Sequence, residues 1–428
     1  MVWLGTGISI LSQLTFWAAF FIAFVRICCA AGLSRAQSEP MGGITPPLQT
    51  STHTPYLSII LFALGVRLAM LALGYIILWQ DSGAPTMEAL FRAFQRGDSH
   101  HYLTLATIGY SWTENGRNLL LVFFPLYGWL VWLVNLGIDQ VQVSAYLVSF
   151  ASFAAALCYL YRLVRLDASE RVAWWAVILI SIAPHSFFFG VPMTESLFLL
   201  TTVMTLYYIR THNWPLAGIA GAFAILTRMV GLVLIVVAAV EFLIHYRVFG
   251  LMKEGKWGEF FRLILSQGLW ILLMLVGGLT YLGLNWYIAG DPFQFLYYQR
   301  THWSNEFAYF GSLIVAQFEN IIHMPHLART IFIPNILAFL LTIGMLLYAT
   351  IRRLNLVLIA YLIGYTFICF AVSWLLSGGR YMAAAAPLFI FLAHFTEQNR
   401  ISRVLVPGLL IASLVATLRW YLLGGPVF

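Results

Sequence analysis

Twelve apolar runs, each of 17 residues or more, follow one another along this chain of 428 residues. A helix needs about 20 apolar residues to cross the hydrocarbon of a bilayer. A water-soluble domain could not hide so much apolar sequence: 61% of residues are hydrophobic, 9% are charged, and the mean hydropathy is +0.86. The expected fold is therefore an all-α polytopic membrane protein. Its 15 Trp and 21 Tyr suit interfacial belts. The net charge of +7 comes almost wholly from arginine, Lys253 and Lys256 being the lysines. In such a chain that excess reports orientation and implies no nucleic-acid partner. Cys28, Cys29, Cys158 and Cys369 sit inside apolar runs, with neither metal spacing nor a disulfide framework.

Residues 1–31 are apolar with a late Arg26 and admit three readings: an extra span, an upstream extension, or a signal peptide. The missing basic n-region disfavours the last. Residues 32–56 carry Gly, Pro, Ser and Thr and read as a linker. The chain thus divides into an N-terminal segment, 1–56, and a transmembrane domain, 57–428. The span from Tyr56 to Trp79 carries Arg67 near mid-membrane, where it needs a protein partner or a polar cavity. Residues 84–97 then read as an amphipathic helix on the membrane surface. Met87, Leu90, Phe91 and Phe94 share one face, with Glu88, Arg92 and Arg96 elsewhere.

Simple alternation of the later runs would strand Arg162, Arg165 and Arg171 beside Asp98. The conflict vanishes if two runs, 119–136 and 215–246, enter and return to the side they came from. Arg162/Arg165/Arg171, Arg210, Arg247 to Arg262, Arg352/Arg353 and Arg400/Arg403 then share one face, the cytoplasmic one by the positive-inside rule. Re-entrant backbone is allowed where protein or water lines it. Roughly 9–11 transmembrane helices are expected. The same topology gathers Asp98, Phe123-Phe124-Pro125, Pro184 to Glu195, Thr227-Arg228, Gly290 to Trp303 and Gly378 to Tyr381 on the opposite face.

Each polar cluster has a plain reading beside a functional one. Asp98, in Arg96-Gly97-Asp98-Ser99-His100-His101-Tyr102, either caps a helix or supplies a carboxylate for chemistry. Glu195 either favours a helix N-terminus or lines a cavity. Arg228, between two apolar half-helices, costs about 2.5–3.5 kcal/mol unless partnered. Gly290-Asp291-Pro292 is ordinary turn chemistry, yet Gln299, Arg300 and Trp303 beyond it also suit a sugar or phosphate. Arg380 either snorkels to head groups or joins the backbone N–H groups starting a helix from Met382 to His394 to hold a phosphate. His100 and His101 do not by themselves make a metal site. No P-loop or dinucleotide fingerprint suggests a nucleotide cofactor.

Several of these stretches occur in a telling order. Asp98-Ser99-x-His101-Tyr102-Leu103 is followed by Gly109-Tyr110 and Phe123-Phe124-Pro125-Leu126-Tyr127. Then come Pro184…Thr194-Glu195-Ser196-Leu197-Phe198 and Thr227-Arg228-x-x-Gly231. Gly290-Asp291-Pro292…Phe295…Gln299…Trp303 and Arg380-Tyr381…Pro387-Leu388 close the series. Over residues 57–400 this resembles the GPI mannosyltransferase II (PIG-V type) family and its prokaryotic relatives, within the GT-C glycosyltransferases. The family's Trp before the Asp is Gly97 here, and its Phe-Phe-Pro-Leu-Tyr-Pro run ends in Gly128. The resemblance implies a polytopic enzyme that takes a sugar, here mannose, from a polyprenyl (dolichyl-type) phosphate on the extracytoplasmic side. An acidic residue of the first outer loop, here Asp98, serves that reaction.

On this reading Asp98 is the base for an acceptor hydroxyl. Arg228 and Arg380 meet the donor phosphate, with Arg300 behind them. His101, Tyr102, Glu195, Asp291, Gln299 and Trp303 orient Asp98 or the acceptor. The partners expected are a polyprenyl-phosphate sugar, a lipid-linked or glycan acceptor and membrane lipids. No cofactor is demanded, and metal dependence stays open. Short outer loops point to a prokaryotic plasma membrane, with the endoplasmic reticulum as the alternative. A transporter or lipid flippase is the rival class, and a catalytically silent scaffold a third.

Overall fold

The computed structural model describes residues 2–33, 54–111, 113 and 116–427, so most of the expected linker lies outside the described residues. The chain is 81% helical, with no β-strand among the described residues. The first ten helices of the bundle are α1 (Val2–Ala30), α2 (Tyr56–Ser82), α3 (Met87–Phe94), α4 (Ser99–Ile108), α5 (Pro125–Ile138), α6 (Val141–Arg165), α7 (Glu170–Ser181), α8 (Glu195–Arg210), α9 (Trp214–Thr227) and α10 (Val233–His245). Five helices among the described residues are long and apolar enough to cross a membrane: α1, α2, α6, Pro325–Ile351 and Arg400–Leu422. Trp257–Leu272 and Leu275–Ala289, bent by 43°, make a sixth if counted as one span. The expected all-α polytopic architecture is present. A count near ten needs the shorter apolar helices as well, among them α9, α10, Leu356–Phe370 and Ala386–Glu397.

Helix starts follow local chemistry. Thr86 Oγ1 accepts the N–H of Ala89 to open α3, and Asn213 Oδ1 accepts that of Leu216 to open α9. The amphipathic face of α3 is shared: Leu90 and Phe94 are buried in the protein, whereas Met87 and Phe91 stay exposed.

Two polar poles lie at opposite ends of α8, whose 16 residues span about 24 Å. At its C-terminal end Arg210 Nη2 donates to Asp167 Oδ1 at 2.9 Å. Arg171 and Arg403 both reach Glu397, and Arg352 and Arg353 border a small cavity with Asp167 and His394. The pair α9–α10 leaves this pole and comes back to it. His212 and His245, at its two ends, stack with ring centroids 3.5 Å apart, and Trp214 Nε1 donates to Tyr246 Oη at 3.1 Å. Arg228 forms the tip of that hairpin. Tyr127 Oη lies 2.8 Å from Ser149 Oγ, about 24 Å along α6 from Arg165. The pair α9–α10 thus returns as expected, and Tyr127 holds the start of the 119–136 run beside α6.

A first core of residues such as Leu157, Leu160, Leu199, Val203, Leu206 and Phe391 fills the space between the poles. A second, built from Tyr102, Phe123, Tyr127, Phe188, Tyr281 and Tyr421, surrounds the pole opposite the basic one.

The two poles should face opposite compartments. In a protein cleared of native cysteines, Lys256→Cys and Phe293→Cys are expected to react with an impermeant thiol reagent from opposite sides of sealed vesicles. Labelling of both from one side would break this topology and with it the reading of the site.

Candidate active site

Asp98 stands at the N-cap of α4 but its side chain makes no capping hydrogen bond. Instead Oδ2 accepts from Arg380 Nη2 at 2.7 Å. Thr194, at the N-cap of α8, also leaves its side chain out of the cap, and the next residue turns its carboxylate inward. Glu195 Oε1 lies 2.9 Å from Arg228 Nη1 and 3.1 Å from Arg380 Nε. The result is a continuous chain Asp98–Arg380–Glu195–Arg228 of two carboxylates and two guanidiniums. The plain capping readings of Asp98 and Glu195 give way to ion pairing. Snorkelling of Arg380 gives way as well, since that residue is 7% exposed.

Each charge is delivered by a break in regular helix. Arg228, with φ −157° and ψ 139°, is the extended residue between α9 and the 3-10 turn Met229–Leu232. Gly231 makes that break compact: a Cβ there would lie 2.8 Å from the Ala224 carbonyl carbon. Arg380 sits in the short helix Gly378–Ala383, which ends before Ala386–Glu397 begins. This corrects the expected continuous helix from Met382 to His394. In the turn before Arg380 the Gly379 N–H donates to Asn335 Oδ1 at 3.2 Å. A Cβ at Gly379 would meet His185 Cε1 at 2.3 Å, so glycine lets the buried imidazole lie against this turn.

The chain of charges borders a cavity of 510 Å³. Asp98, His101, Tyr102, Arg228, Gln299, Trp303 and Arg380 line it. Exposure decides their roles. The Asp98 side chain is 31% exposed and Arg228 17%, whereas Glu195 is 1% exposed, a buried counter-ion beneath the cavity. Burial pushes the Asp98 carboxyl up. The Arg380 guanidinium more than reverses this by charge and hydrogen bond, with help from His101 and Arg228, and holds it below the usual carboxylate range. Aromatic walls complete the cavity: His101 stacks on Phe123 at 4.8 Å, Tyr102 packs edge-on to Phe123, and Arg380 lies 5.3 Å from the Phe188 centroid.

Two expected residues stand elsewhere. Arg300 pairs with Glu306 at 2.8 Å, with 70% of its side chain exposed, and does not line the cavity. Asp291 Oδ1 accepts the Phe293 N–H at 2.8 Å, the ordinary turn chemistry of Gly-Asp-Pro. Conversely, Tyr365, Trp374 and Tyr421 line the cavity without having been singled out. They are apolar or aromatic residues within apolar runs, and only the charge chain beside them marked the region. Among the described residues no three His, Cys, Asp or Glu side chains gather as a metal site would require.

Residues 124–265, about a third of the chain, match the family model described as dolichyl-phosphate-mannose-protein mannosyltransferase. The match supports the GT-C type of glycosyltransferase for that segment; the GPI mannosyltransferase II assignment rests on the motifs alone. No curated protein sequence matches the chain. Among solved structures, the oligosaccharyltransferase AglB of Archaeoglobus fulgidus, with an inhibitory peptide and a dolichol-phosphate, aligns at 14% identity and a TM-score of 0.43. That alignment covers 86% of this chain and 55% of AglB. The same organism's oligosaccharyltransferase with Zn and sulfate aligns at 12% identity and a TM-score of 0.42, over 84% of this chain and 53% of that one. This chain spans little more than half the length of either.

Proposed function

We propose that this chain is an integral membrane glycosyltransferase that moves a sugar, mannose in the first instance, from a polyprenyl phosphate to a lipid-linked or extracytoplasmic acceptor. The observation that carries the reading is the Asp98–Arg380–Glu195–Arg228 chain opening on an aromatic-walled cavity at the pole away from the basic loops. By the positive-inside rule that pole is extracytoplasmic, and the short outer loops favour a prokaryotic plasma membrane. The family match over residues 124–265 supports the donor class.

The chemistry follows from the charges. The donor's phosphodiester enters as an anion and competes with Asp98 for Arg380. Two guanidiniums offer forked donors that suit phosphate oxygens. As the guanidinium turns to the phosphate, Asp98 loses its nearest favourable charge, and its proton affinity rises where the acceptor hydroxyl stands. The hydroxyl oxygen then bonds to the anomeric carbon as its proton passes to Asp98. The bond from that carbon to the phosphate oxygen breaks, and its electron pair stays on the polyprenyl phosphate, held by Arg228 and Arg380. A transport path is disfavoured because the packed core of Leu160, Leu199, Val203 and Leu206 separates this cavity from the basic pole.

Among the described residues one carboxylate, that of Asp98, lines the cavity, so a single displacement is expected and the anomeric configuration inverts. The test is to incubate purified protein with labelled polyprenyl-phosphate hexoses and membrane lipids, and to assign the product's linkage by NMR. An inverted mannoside with equimolar polyprenyl phosphate supports the reading. A retained configuration would require a covalent intermediate that this geometry does not supply. Donor crossing the membrane unchanged would make the protein a transporter.

A further inference from the structure

Behind the turn Ser186–Gly190 lies a second cavity, of 470 Å³, between α2, α3 and α6. Phe187 faces it while Phe188 faces the charge-lined cavity, so the two are separate. Its walls are apolar and open outward: Leu64 and Leu68 on α2, and Val143 and Leu147 on α6, are each 41–55% exposed. Arg67 borders it from within and is 8% exposed. Arg67 Nη1 donates to the Ser186 carbonyl at 2.8 Å, and the guanidinium carbon lies 4.1 Å from the Phe153 ring centroid. Arg67 Nε and Nη2 are themselves buried and have no hydrogen-bond partner among the described residues. No carboxylate among the described residues pairs with Arg67, and the nearby acid, Glu88, is taken by Arg92 at 2.6 Å. Gln95, Gln142 and Tyr146 give the groove a polar rim.

A cation midway along a lipid-facing helix, with two donors unused, calls for a counter-anion. We propose that this groove binds an anionic phospholipid, its phosphodiester drawn to Arg67 beneath the polar rim and an acyl chain lying along Leu64, Leu68 and Leu147. Guanidinium suits phosphate oxygens, and the apolar walls suit hydrocarbon. A membrane lipid is the occupant because the groove opens on faces of α2 and α6 that the span assignment places in the bilayer. The proposal does not depend on the transferase reading.

The test titrates detergent-purified protein with phosphatidylglycerol or phosphatidylcholine of equal chain length and reads occupancy by native mass spectrometry. Wild type should retain phosphatidylglycerol over phosphatidylcholine. Arg67→Gln should weaken phosphatidylglycerol about tenfold to a hundredfold, the range for a charge-assisted hydrogen bond. Leu147→Trp fills the groove but keeps the charge, and it should weaken the same lipid even if Arg67→Gln fails to insert. Lipid at the basic pole binds all three proteins alike, so the difference reads the groove. Equal phosphatidylglycerol binding by wild type and variants would overturn the proposal. Equal retention of the two lipids would reduce the groove to an apolar crevice, and displacement by inorganic phosphate would make the ligand a free anion.

Discussion

Asp98→Asn is expected to lower sugar transfer by about 10²–10⁴-fold, the usual contribution of a positioned general base, while insertion and donor binding persist. Asparagine keeps the shape and a hydrogen-bond acceptor for Arg380 but cannot hold the acceptor's proton. A capping role would forecast no loss, because Asn caps a helix about as well as Asp. The capping account already lacks its hydrogen bond: Asp98 occupies the N-cap position of α4 without capping, and its carboxylate pairs with Arg380. Turnover by the purified variant, measured beside its affinity for polyprenyl phosphate, decides the matter. Near-normal turnover would remove Asp98 from the chemistry.

Glu195→Gln carries the largest expected loss of stability. Its carboxylate touches both Arg228 and Arg380 and is 1% exposed, so water cannot replace it. Removing one partner of a buried ion pair costs about 3–5 kcal/mol, since the remaining charges stay buried and uncompensated. The variant should melt well below wild type in a thermal unfolding assay in detergent. Added polyprenyl phosphate should restore part of the loss, because the phosphate supplies the missing negative charge and binding stabilises the folded state by mass action. An unchanged melting temperature would mean that the two arginines are satisfied without Glu195.

Much of the fold was legible because a bilayer tolerates few structures: apolar runs of spanning length must be helices, and arginines outside them mark a side. The two returning runs were an expectation of the same kind, chosen because that path puts the arginines on one face. Asp98, Arg228 and Arg380 stood out because a charge near lipid needs a partner. Who partners whom was not legible. Arg380 and Asp98 lie 282 positions apart, and only packing brings them together. Arg300 and Asp291 carry the same chemistry as the true cavity residues. They differ in exposure, which residue type does not encode, and they end in a surface ion pair and a turn. Tyr365, Trp374 and Tyr421 gave no signal at all, because an apolar residue lining a cavity reads like one buried in the core.

The central claim is that the donor phosphate displaces Asp98 from Arg380, and a structure with polyprenyl phosphate bound tests it most directly. The account predicts phosphate oxygens within hydrogen-bond distance of both Arg228 and Arg380, with Asp98 parted from Arg380 and turned into the cavity. A phosphate seated elsewhere, with the Asp98–Arg380 contact still at its present 2.7 Å, would contradict it.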